Sequence, residues 1–104
     1  MKFNVKTPAG EKIQCSAIEG GSLLKFNGDH YAVIECAECR AKLPEGFDDE
    51  IVLEVSHDEK IIGYAFMQRN GAWAVVEAGG NIKTAVVYHM ECEFKAIAKF
   101  LARR

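Results

Sequence analysis

Apolar and polar residues alternate at strand period through most of the chain and change to a helical period only near its end. The alternation opens over Phe3 to Lys6, turns at Thr7-Pro8-Ala9-Gly10, and resumes over Lys12 to Ala17, where Ile13, Cys15 and Ala17 share a face. Gly20-Gly21 breaks that strand. Ser22 to Phe26 and His30 to Glu35 flank Asn27-Gly28-Asp29, whose Asn-Gly pair supplies the positive φ angles of a tight hairpin. Cys36-Ala37-Glu38-Cys39 follows directly. A loop, Lys42-Leu43-Pro44-Glu45-Gly46, and an acidic patch, Asp48-Asp49-Glu50, are then expected to be exposed.

Strand patterning returns with Ile51, Leu53 and Val55, ends at the polar turn His57-Asp58-Glu59-Lys60, and resumes with Ile62, Tyr64 and Phe66 on one face. Arg69-Asn70-Gly71 turns the chain, Trp73 and Val75 are expected to continue that same face, and Ile82 to Tyr88 reads as the last strand. His89 to Arg104 contains neither Gly nor Pro and favours a helix. Met90, Phe94, Ile97, Ala98 and Leu101 recur at three- and four-residue steps, which makes one apolar stripe to lay on the sheet, with Lys95, Lys99 and Arg103 outside. The expected fold class is therefore α+β: antiparallel hairpins with one C-terminal helix.

Length and composition narrow this picture. At 104 residues the chain supports one core, so residues 1–104 are expected to form a single domain. A hydrophobic fraction of 49% with 27% charged residues is ordinary for a folded protein. No apolar run approaches the roughly 20 residues of a membrane span, and Met1 to Pro8 lacks the apolar stretch of a signal peptide, which places the chain in the cytosol. A formal net charge of −2 implies poor non-specific affinity for nucleic acid. In a reducing compartment, four cysteines are better explained by metal binding, redox chemistry or burial than by disulfides.

Two thiolates two residues apart, as in Cys36 and Cys39, can wrap one zinc ion and leave room for two more ligands. On a helix, positions i and i+3 lie on one side, so His89 and Cys92 can converge from a first turn. Glu35 and Glu38 beside the Cys pair disfavour a free thiolate and favour a bound dication. These half-sites, together with the Leu43-Pro44-Glu45-Gly46 loop and Tyr88-His89-Met90-Glu91-Cys92 opening a helix, resemble a treble-clef zinc finger of the poly(ADP-ribose) polymerase-type or LIM-like kind. The resemblance spans about residues 35 to 100. It implies a treble-clef-like site in which Cys36, Cys39, His89 and Cys92 hold one structural zinc ion. The 49 residues between Cys39 and His89 require additional hairpin strands between the half-sites.

Plainer readings stand beside this one. The four residues could be ordinary buried thiols and a surface histidine, or Cys36 and Cys39 a redox pair. Cys15 sits with Ile13 and Ala17 and reads as core, or as a substitute ligand. Ser56-His57-Asp58 carries the residue types of a hydrolase triad, but adjacent side chains point apart. Asp29-His30 and Gly79-Gly80 read as turns, and Tyr31, Tyr64, Phe66 and Trp73 as core. A closed four-ligand zinc site leaves no position for a substrate water, so the expectation is a non-catalytic, zinc-stabilised binding module with no membrane role. It would dock on a protein partner as an adaptor or an inhibitor, including the phage-encoded kind. The alternative is a nucleic-acid-binding finger that uses Lys95, Lys99, Arg103 and Arg104.

Overall fold

The structure is a computed structural model that describes residues 1–18, 21–36, 47–68, 70–80, 85–88 and 92–104. Its elements follow in the order β1 (Lys2–Lys6), β2 (Lys12–Ala17), β3 (Leu23–Phe26), β4 (Asp29–Glu35), β5 (Phe47–His57), β6 (Lys60–Gln68), β7 (Trp73–Glu77), β8 (Val86–Tyr88) and α1 (Glu93–Ala102). Every described strand pairs antiparallel with the next described strand in sequence, so among the described residues the sheet order is β1 through β8 without a crossover. Turn chemistry sets these pairings. Asn27 and Gly28 both take positive φ, 50° and 87°, as a two-residue hairpin between β3 and β4 requires. Asp58 and Glu59 take φ of 50° and 65° between β5 and β6.

Helix α1 packs on β1 and β2 and also on β7, strands that lie near opposite ends of the sheet order. The sheet must therefore curl into a half-barrel around the helix. This explains why seven of the ten helical residues, Phe94, Ala96, Ile97, Ala98, Phe100, Leu101 and Ala102, are buried, more than a single stripe would supply. Lys95 and Lys99 alone in α1 are exposed. Cys92, the N-cap, provides no side-chain capping bond, and Glu93 in the first turn and Lys99 in the last complement the helix dipole.

The concave face of the sheet contributes Val5, Cys15, Ala17, Leu24, Phe26, Val33, Val55, Ala65, Trp73, Val75 and Tyr88 to the core around α1. A second, smaller cluster lies on the opposite face: Val52, Phe66, Ala74 and Val76, with Tyr64 and Ala85 against it. Phe66 pairs with Ala74, so Trp73 and Val75 occupy the face opposite Phe66, not the shared face expected from sequence. Gly63 leaves no room for a side chain, since a Cβ there would come within 2.6 Å of the Val76 carbonyl oxygen.

The treble-clef-like α+β arrangement is overturned. That arrangement needs the strands between the two half-sites to be looped out beside a metal. Instead β5, β6, β7 and β8 pair into the same sheet as β1 to β4, and the interior is filled by apolar side chains. Among the described residues no three His, Cys, Asp or Glu side chains converge on a metal position. The acidic run Asp48-Asp49-Glu50, expected as loop, lies within β5. The helix begins at Glu93 instead of His89.

Ile97, fully buried inside the curl, is the natural test of this packing. Ile97→Ala is expected to cost about 2 to 5 kcal/mol and Gly63→Ala about 1 to 3 kcal/mol in thermal or urea unfolding. Lys95→Ala should stay within about 0.5 kcal/mol.

Candidate functional site

The chemistry-bearing residues divide between the cysteines singled out by sequence and a polar face that only the register brings together. Cys36 follows β4, donates its backbone N–H to the Val52 carbonyl at 2.8 Å, and is disulfide-bonded. Cys92 is a free, half-buried thiol at the start of α1, packed against the concave core. Cys39 and His89 lie outside the described residues. In sheet order β5, β6 and β7 separate the strand that ends before Cys36 from the strand that leads toward Cys92. Cys15 is buried in the core, its Sγ is 3.7 Å from the Ile13 carbonyl oxygen, and burial pushes its thiol pKa up.

Ser56, His57 and Asp58 do not assemble as a triad. Strand alternation puts Ser56 and His57 on opposite faces of β5. His57 Nδ1 is 2.9 Å from the His30 carbonyl oxygen, so Nδ1 carries the proton, and Nε2 lies 3.3 Å from Asp58 Oδ2. The ring is held by the His30 carbonyl and faces Asp58, not Ser56, so it is not placed to take a proton from that serine. The ring also stacks on Tyr31 at 4.6 Å, and Phe26 meets Tyr31 edge-on at 6.1 Å. The Tyr31 hydroxyl pKa is raised, first by burial and then by Asp29, with Arg104 opposing the rise. Tyr88 has a buried hydroxyl with no hydrogen-bond partner among the described residues; burial raises its pKa, and nearby Arg103 offsets part of that rise.

The convex face of β1 to β3 has a different character. Strand alternation places Lys2, Asn4 and Lys6 of β1 there, with Lys12, Gln14 and Ser16 of β2 and Leu23 and Lys25 of β3. Lys2 pairs with Ser16, Ser16 with Lys25, and Lys6 directly with Lys12. A shallow cavity of about 800 Å³ opens here, lined by Lys2, Asn4, Lys12, Gln14, Ser16 and Lys25 among others. No carboxylate occupies this face of the three strands. Like charges directly opposite, such as Lys6 and Lys12, destabilise a sheet, so a chain with a net charge of −2 holds this cluster against a local electrostatic cost.

The lysine face grades into exposed apolar side chains, Leu23 at 41% and Ile34 at 53% exposure, with half-buried Ala32 between them in the register. On the helix, Lys95, Lys99 and Arg103 are exposed, while Arg104 pairs with Glu77 at 3.2 Å. Among the described residues no helix is long and apolar enough to cross a membrane. No family model matches the chain, and neither the curated proteins nor the solved structures contain a match to it.

A thiolate, not a disulfide sulfur, ligates zinc, so any zinc site that uses Cys36 is confined to the reduced protein. Elemental analysis is expected to find no zinc in the oxidised protein. If Cys36, Cys39, His89 and Cys92 act together, reduction should allow zinc uptake and Cys39→Ser should abolish it. A native-state thiol titration is expected to modify Cys92 well before Cys15, whose burial lowers both access and thiolate fraction.

Proposed function

We propose that this chain is a non-catalytic binding module that docks on an acidic protein partner through the convex face of β1 to β4. The observation that carries this reading is the segregation of Lys2, Lys6, Lys12 and Lys25 onto one carboxylate-free face of a net acidic chain. Such a face steers an oppositely charged surface into register and rejects like-charged ones. Leu23, Ala32 and Ile34 beside the lysines supply the apolar contact that a protein surface uses and a phosphate backbone does not. The face also carries no aromatic side chain on β1 to β3, so it lacks the stacking platforms of single-stranded nucleic-acid binders.

The test measures retention of poly-L-glutamate and of duplex DNA by the wild-type protein at low and high salt. Polyglutamate binding is expected, weakening as salt screens the lysines. The triple variant Lys2→Glu/Lys12→Glu/Lys25→Glu should lose at least about tenfold in affinity. Lys95→Glu/Lys99→Glu should leave binding within about twofold. Preferential retention of duplex DNA, or loss in the helix variant instead, would move the function to the nucleic-acid reading.

A further inference from the structure

Two of these lysines, Lys2 and Lys6, sit on a strand whose outer edge is open. Met1 and Ala17 exchange both backbone hydrogen bonds, Ala17 N–H to the Met1 carbonyl at 2.9 Å and the Met1 amine to the Ala17 carbonyl at 2.7 Å. In an antiparallel pair such reciprocal bonds recur at every second residue, so Phe3 and Val5 bond to β2 while the N–H and C=O groups of Lys2, Asn4 and Lys6 point away from it. Strand β1 is the first in the sheet order, and these three residues are exposed and have no backbone partner on that side among the described residues. One edge thus presents a row of free backbone groups and, on its convex side, two lysines flanking an asparagine.

We propose that β1 is the docking edge: an extended acidic segment of the partner adds antiparallel to Lys2–Lys6 as a ninth strand. This rests on the lysine-face reading and specifies its geometry. Partner residues opposite Lys2, Asn4 and Lys6 would exchange backbone hydrogen bonds with them and place their side chains on the convex face. Directly opposite pairs have Cβ atoms about 5 Å apart, close enough for carboxylates to meet both lysine ammonium groups. The intervening residues fall on the concave side, beside half-buried Phe3 and buried Val5, and are apolar. The recognised pattern is acid, apolar, polar, apolar, acid. Lysines on an edge strand can also serve only to repel other edges, and the experiment separates the two roles.

The probe is the capped peptide Val-Glu-Val-Thr-Val-Glu-Val, titrated into the full chain at low salt. Binding is expected to slow hydrogen exchange at the Lys2, Asn4 and Lys6 amides and to leave Phe3 and Val5, already bonded to β2, unchanged. N-methylation of the peptide's Glu and Thr amides should weaken binding by about tenfold or more, whereas N-methylation of the alternate Val amides should leave it within about twofold. Asn4→Pro, which removes one outward donor and keeps both lysines, should weaken binding with little change in melting temperature. Binding that is salt-sensitive but indifferent to which amides are methylated overturns strand addition and leaves the lysine-face reading intact. Peptide failure with polyglutamate retained does the same. Failure of both removes both, and leaves the lysines as guards of the edge. Concentration-dependent protection of the three amides without peptide would assign the edge to a second copy of this chain.

Discussion

The structure depends on one burial event: α1 fills the hollow of the curled sheet. An open antiparallel sheet with an apolar concave face cannot stand alone in water, and the helix touches strands near both ends of the sheet order, β1 and β7. That is why α1 is apolar around most of its circumference, with Ala96, Ala98 and Ala102 allowing close approach where larger side chains would push the strands apart. The exposed pair between Arg104 and Glu77 pins the helix end to β7 but contributes little beside this burial.

Much of the element order was legible in the residues. The Asn27-Gly28 hairpin, the early alternation of β1 and β2, and a gap-free apolar helix at the end all carried local chemistry that tertiary context did not override. The architecture was not legible, because a meander and a set of hairpins looped around a metal have the same strand periodicity. Faces were ambiguous where both sides of a strand are buried: Trp73 to Val76 are apolar without interruption, so nothing in Trp73-Ala74-Val75-Val76 says which residue joins Phe66. A bulge near Ile62 compounds this by shifting register between Val55 and Ser56.

The candidate site shows a similar split. Cys36, Cys39, His89 and Cys92 attract notice because their spacing matches a known ligand geometry, and of the four only Cys36 and Cys92 lie among the described residues. The lysine face had a weaker signature that was nonetheless present: Lys2, Asn4 and Lys6, then Lys12, Gln14 and Ser16, repeat a polar residue at every second position. What made them one surface was pairing, which only the register reveals. The charge total concealed them, because a net value of −2 averages a basic face with acidic residues placed elsewhere.

The uninterrupted meander also shapes how the chain reaches this state. Hydrogen-bonded neighbours in the sheet are neighbours in sequence, so strand pairing proceeds through closures of modest length whose entropic cost is correspondingly small. The docking of α1 on β1 is different, since it joins the two extremities of the described fold in one distant step. Any state in which the helix is undocked leaves the concave apolar face uncovered, so it is the undocked sheet that exposes the surface most prone to self-association.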